Sequence, residues 1–247
     1  MAPQHISAHC DNYLTATNTS TAEGQKNFEI LMQADIVFFN GGDQSRHART
    51  WLLDSGDCNY LFCQLFQRFK NNQVIFAGTS AGTMIMSTET YGEGISFGQL
   101  YFSNKVGLAP KRVADGSQNG TGLKDDRKGQ SGLQWTDNGG YTSGFPALGN
   151  SYQTDSHFDA RGRLVRLIPA LFKFKRQYGI GVDEDTVFYV DGNQATVYGS
   201  HGVFFVDITN ATAATTEYFS CKGVRVSYLT SGDKLDLTTK KLTSSKP

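Results

Sequence analysis

The stretch Gly78-Thr79-Ser80-Ala81-Gly82 follows Gln73-Val74-Ile75-Phe76-Ala77 and precedes Thr83-Met84-Ile85-Met86-Ser87. An apolar strand, a serine between two glycines and a helix-compatible run together have the form of a nucleophile elbow. Such a turn holds its serine in a strained conformation at the carboxyl end of a strand. Side chains at the flanking positions would clash, and the backbone must come close to substrate, so glycine is required there. The N–H of Ala81 opens the next helix and can face a developing oxyanion.

A serine nucleophile needs a base. The chain has five histidines, and His157 lies in Asp155-Ser156-His157-Phe158-Asp159-Ala160-Arg161-Gly162-Arg163-Leu164-Val165-Arg166. Arg163 and Arg166 fall on one helix face, and an arginine pair beside such a histidine suits a carboxylate-bearing substrate. The plain alternative is a surface histidine before a basic helix face. The base needs an acid to orient it, and Asp183-Glu184-Asp185 supplies three on a turn between apolar runs. That turn also fits a solvated acidic loop. Asp43 and Gln44 fit an Asx turn after a strand, and neither His47 nor His201 receives a role.

The elements that must position these groups follow from apolar patterning. A short strand is expected at 5–10, a helix at 23–33, a strand at 35–40, a helix at 61–70 and the strand leading to Ser80. Helix–strand alternation of this kind implies an α/β fold, a doubly wound, mostly parallel sheet with helices on both faces. Sites in such sheets lie at the carboxyl ends of strands, so Gly41–Gln44 and Gly78–Gly82 are expected to face one crevice. Residues 103–150 are rich in Gly, Asn, Ser, Asp and Lys and read as a long insertion or lid within a single domain spanning 1–247. Beyond them a helix is expected at 161–174, strands at 186–190 and 203–206, and a hairpin from 224–229 and 234–238, with a frayed end from Lys240.

The 247 residues suffice for one sizeable core, and 23 basic residues balance 23 acidic ones. Zero net charge removes the electrostatic case for nucleic acid. No apolar run approaches the roughly 18 residues of a membrane span, and no cofactor or metal is expected. Four cysteines, at 10, 58, 63 and 221, match no zinc spacing. On one regular helix the rise from Cys58 to Cys63, about 7.5 Å, exceeds disulfide reach, so buried free thiols are expected. Sequons at Asn18, Asn119 and Asn210, with the cysteines, favour a secreted protein.

Four ordered segments carry a resemblance: Gly41-Gly42-Asp43-Gln44, Gly78–Gly82, Asp155-x-His157-Phe158-x-x-Arg161-x-Arg163-x-x-Arg166-Leu167, and Gly181-Val182-Asp183-Glu184-Asp185-Thr186. In this order the chain resembles cyanophycinases, which stand with dipeptidase E among serine peptidases of the class I glutamine-amidotransferase-like fold. The resemblance spans about residues 5 to 240. It implies Ser80 as nucleophile, His157 as base and Glu184 as its orienter, with oxyanion N–H groups from Gly42 and Ala81. The order Ser, His, acid differs from the Ser, acid, His of α/β-hydrolases. Gln44, Asp155, Arg161, Arg163 and Arg166 match positions lining a pocket for β-aspartyl-arginine units. The implied reaction is cleavage of an aspartyl peptide or β-aspartyl isopeptide bond through an acyl-enzyme. The alternative is a non-catalytic descendant with a binding role.

Three departures accompany the resemblance. Ser156 stands where cyanophycinases have Gln, a short hydroxyl for a long amide. The interval from Ser80 to His157 is widened by the 103–150 excursion. The chain also lacks the strand, glycine-rich loop and helix that open the family, so a complementary N-terminal segment or a homo-oligomer is expected to fill a gap in the sheet.

Overall fold

Strands β1 (Ile36–Phe39) and β2 (Ile75–Gly78) run parallel, with Ile36 opposite Ile75 and Phe39 opposite Gly78. They belong to a computed structural model that describes residues 16–42, 44–53, 57–93, 140–215 and 219–245. The described residues form two compact units, one holding those up to Glu93 together with 140–147, the other those from Leu148 onward. The expected strand at 5–10 lies outside the described residues, as do 103–139 of the expected insertion.

In the first unit, helix α1 (Ala22–Gln33) precedes β1. Helices α2 (Gln44–Trp51) and α3 (Tyr60–Lys70) connect the two strands. Caps set the helix starts: the Thr21 side chain accepts from the Gly24 N–H, and Asn59 Oδ1 from the Phe62 N–H at 2.9 Å. Arg68 Nη1 donates to the carbonyls of Leu31 and Ala34, fastening α3 to the exit of α1. Alternation along β1 turns Val37 and Phe39 inward and leaves Ile36 and Phe38 exposed. The core is aromatic, with Phe39, Phe62, Phe76 and Phe145 in mutual ring contact.

Residues 140–147, the end of the expected insertion, belong to this unit. Strand β4 (Gly140–Ser143) pairs with β3 (Glu89–Glu93), and Phe145 is buried in the core. Polar and glycine-rich neighbours conceal this one apolar anchor in the sequence. The cysteine expectation is also corrected: Cys58 and Cys63 form a disulfide. Cys58 lies before the Asn59 cap rather than on α3, so the rise along one helix does not apply, and the Cα atoms are 5.2 Å apart. Cys221 is free and exposed.

In the second unit, β5 (Tyr152–Asp155), α5 (Leu164–Phe174) and β6 (Tyr178–Val182) form a crossover with β5 and β6 parallel. After α5 no helix appears among the described residues. Strands β7 (Thr186–Asp191) and β8 (Gln194–Gly199) pair antiparallel about Gly192, whose φ is 56°. Strand β9 (Gly202–Asp207) extends the β5–β6 sheet antiparallel to β6, and β12 (Arg225–Thr230) adds to its edge antiparallel to β9. A further antiparallel pair, β10 (Thr212–Thr215) with β11 (Phe219–Lys222), stands apart.

The mixed α/β class therefore holds, but the expected mostly parallel sheet does not: pairings among the described residues are mostly antiparallel. Parallel neighbours need crossovers of a dozen or more residues, and β7 and β8 are joined too closely for one. The expected tail hairpin is likewise split. β12 joins β9, while β13 (Lys234–Asp236) joins β8 and β14 (Leu242–Thr243). Lys240, expected to fray, packs its ammonium over the rings of Tyr152 and Tyr178 at 4.7 and 4.4 Å. The β5–β6–β9–β12 sheet is covered on one face by α5 through Leu167 and Leu171. Its other face packs on β8 and β13 through Ala195, Val197 and Leu235.

Candidate functional site

Ser80 stands between the end of β2 and α4 (Ala81–Met84), with φ 53° and ψ −113°. A non-glycine residue held there stores about 1–3 kcal/mol, and backbone hydrogen bonds enforce it. The Thr79 N–H donates to Phe39 O, the Gly82 N–H to Thr79 O, and the Met84 N–H to Ser80 O. Both flanking glycines are sterically required. A Cβ at Gly82 would lie 1.9 Å from Phe39 O, and one at Gly78 would lie 2.5 Å from the Gly82 backbone.

The Gly41 loop at the end of β1 lies beside this turn, since a Cβ on Gly41 would sit 3.3 Å from Ser80 Cβ. The two strand-end glycine loops thus adjoin. Asn40 Oδ1 accepts from the Gly41 N–H, and His47 Nε2 lies 2.9 Å from Asn40 O, so His47 steadies the loop. Gly42 is exposed with φ 125°, Gln44 opens α2, and Ala81 is buried.

In the second unit, His157 Nδ1 and Glu184 Oε1 are 2.8 Å apart. Two left-handed residues aim the loops that carry them: His157 at φ 46° and Asp185 at φ 49°. Glu184 is exposed. The His157 hydrogen bond holds its carboxyl below the usual carboxylate range, a slight burial opposes this, and the charges of His157, Arg161 and His201 reinforce it. Of the three acids on this turn, only Glu184 meets the imidazole. Asp183 is buried instead, accepting from the Asp159 N–H at 3.0 Å and from the Tyr228 hydroxyl at 2.9 Å.

Asp155, at the end of β5, is fully buried. It accepts Arg166 Nε at 2.7 Å and Nη2 at 2.6 Å, Arg163 Nη1 at 3.3 Å, and its neighbour's Ser156 N–H at 2.8 Å. Arg163 Nη1 also donates to Ser156 O at 2.7 Å. Asp155, Ser156, Arg163 and Arg166 therefore form one network directly before His157. Helix α5 begins at Leu164, three residues later than the sequence pattern suggests, because Gly162 turns at φ 56°. Arg161 remains in that turn and is exposed.

Ser80, Gly42, Ala81 and Gln44 thus stand in the first unit, and His157, Glu184 and the arginines in the second. Asp183 and Tyr228 were not selected from sequence. An acid immediately after the buried strand β6 was the available signal for Asp183, whereas nothing local marks Tyr228. Among the described residues, no group of three or more His, Cys, Asp or Glu side chains could hold a metal ion.

A cyanophycinase from Synechococcus elongatus is 28% identical over 234 residues, covering 92% of this chain and 60% of its own. The cyanophycinase of Thermosynechococcus vestitus gives the same figures, and that of Trichormus variabilis is 29% identical over 209 residues. The chain is similar to cyanophycinases over most of its length. It spans about 60% of the length of the first two of these relatives. No family model matches it. Among solved structures, a peptidase from an acI-B1 actinobacterium aligns with a TM-score of 0.49 at 19% identity, covering 86% of this chain and 63% of its own.

Proposed function

We propose that this chain is a cyanophycinase-like serine hydrolase that cleaves an aspartyl peptide or β-aspartyl isopeptide bond through an acyl-enzyme. The observation that carries this reading is the 2.8 Å contact between His157 and Glu184, the two residues that the resemblance pairs. The strained, glycine-framed turn at Ser80 supports it.

Ser80 Oγ attacks the scissile carbonyl carbon as His157 Nε2 takes the hydroxyl proton. Glu184 accepts the Nδ1 proton as a hydrogen bond, which fixes the tautomer and stabilises the imidazolium. The N–H groups of Gly42 and Ala81 receive the oxyanion. The intermediate collapses, the C–N bond breaks, and the imidazolium gives its proton to the departing amine. Water, deprotonated by His157, then attacks the acyl-serine ester and releases the acid and Ser80. The resemblance assigns the substrate pocket to Gln44, Asp155, Ser156, Arg161, Arg163 and Arg166. Burial and mutual pairing favour a supporting role for Asp155 and Arg166, while Arg161 is exposed beside Glu184.

The glutamine-amidotransferase-like reading of the fold draws support from the two parallel strand pairs. β2 delivers the Ser80 turn and β5 delivers the His157 loop, each at its carboxyl end. The test is hydrolysis of β-aspartyl-arginine polymer and dipeptide by the purified chain, followed by amine release. Release by the parent and none by a folded Ser80→Ala variant is expected. Equal release by both would overturn the assignment.

A further inference from the structure

We infer that Asp183 and Tyr228 are positioning residues that hold the His157 and Glu184 loops together. The inference rests on the reading of His157 and Glu184 as base and orienter, but the clamp itself is built entirely from this chain's own contacts.

Three features compose the clamp. The Asp183 carboxylate spans both loops: it is covalently next to Glu184, and its Oδ1 accepts the N–H of Asp159, two residues beyond His157. A backbone hydrogen bond from the Phe158 N–H to Val182 O runs beside it. Its second oxygen, Oδ2, accepts the Tyr228 hydroxyl from β12, and Tyr228 is 45 residues away along the chain. A buried carboxylate with both oxygens engaged has few low-energy alternatives, so its position is well defined.

Aromatic packing sets the hydroxyl. The Tyr228 ring lies 4.7 Å from that of Phe204, and Phe204 lies 5.2 Å from Phe158, the residue after His157. Two glycines make room for this row. A Cβ on Gly202 would come within 2.6 Å of the Tyr228 ring, and one on Gly181 within 2.4 Å of the Phe158 ring. Burial, and then the hydrogen bond to Asp183, push the Tyr228 phenol up to about 12, so it stays a donor across the working pH range.

The consequence is mechanical. His157 sits at φ 46° and Asp185 at φ 49°, conformations that need outside restraint. Releasing Asp183 lets the two loops relax independently, and His157 loses its partner although neither member of the pair has changed.

The experiment uses the full chain with 15N-labelled histidine. Long-range 1H–15N spectra report which imidazole nitrogen carries the proton. In the parent, His157 should show the Nδ1–H tautomer directed at Glu184. Asp183→Ala should move it toward the Nε2–H form that free imidazole prefers, and Tyr228→Phe should do so in part. Asp183→Asn, which still accepts the Asp159 N–H, should restore much of the parent pattern. Under turnover, Tyr228→Phe should lower kcat about tenfold with KM little changed, as misorientation of a base requires. If Asp183→Ala does not fold, Tyr228→Phe decides, because it keeps the ring in place. A parent tautomer pattern in folded Asp183→Ala or Tyr228→Phe overturns the clamp. A parent that hydrolyses nothing yet shows the tautomer series overturns the hydrolase reading and leaves the clamp standing.

Discussion

His157 Nδ1 and Glu184 Oε1 lie 2.8 Å apart although 27 residues separate them in the chain. The pair is joined by the geometry of two loops, one leaving β5 and the other leaving β6, and these strands are neighbours in one sheet. Parallel pairing of β5 and β6 brings their carboxyl ends together, and this places an imidazole beside a carboxylate.

Glu184→Gln keeps the shape of the acid and removes its charge. The imidazole tautomer is then poorly specified and the imidazolium unsupported, so kcat should fall about a hundredfold or more. The fold should hold, because Glu184 is exposed. Steady-state kinetics with a circular dichroism control checks both.

The Glu184 carboxyl is held below its ordinary range, first by the His157 hydrogen bond. A depressed carboxyl keeps its charge, and hence the pair, everywhere above its ordinary range, and loses it only as the pH falls through the lowered value. Activity should therefore show no inflexion where free glutamate titrates. A pH–rate profile through that range checks this, and a loss of activity centred there would contradict it.

Arg166→Met should be costly to stability. It leaves the Asp155 carboxylate fully buried without its two-point partner, and breaking such a pair costs about 3–5 kcal/mol. Replacing both residues with apolar ones should cost less than the single change. Urea unfolding of the single and double variants tests the ordering.

Gly82→Ala should damage the elbow directly. The added methyl would fall 1.9 Å from the carbonyl oxygen of Phe39, a backbone atom that cannot swing aside. A loss of about 2 kcal/mol or more is expected from the forced backbone shift, with loss of any Ser80 reactivity. Thermal unfolding and labelling of Ser80 follow the two effects separately.

Sequence made the Ser80 turn legible because both glycines frame the serine in one short motif, Gly78 closing against the Gly82 backbone, although Gly82 itself is required by the distant Phe39 carbonyl. The pairing of His157 with Glu184 was legible through the family resemblance, since residue type alone left three acids open. Asp183 and Tyr228 were not, because their pairing depends on how β12 joins β9, a contact between distant segments with no local signature. Strands β7, β9, β12 and β13 were readable from apolar patterning, whereas β6, β8, β10, β11 and β14 and the antiparallel pairings were not, since patterning reports burial and not neighbours. The Cys58–Cys63 bridge was missed for a related reason: the reach calculation assumed one helix, and Asn59 caps the helix after Cys58.

The central claim is that Ser80 is a nucleophile activated by the His157–Glu184 pair. Incubating the parent chain with a serine-directed fluorophosphonate and reading the intact and peptide masses tests it most directly. One adduct on the peptide carrying Ser80, absent in Ser80→Ala and strongly slowed in His157→Ala, is the predicted result. A folded parent that takes no adduct, or takes it equally well without His157, would contradict the claim.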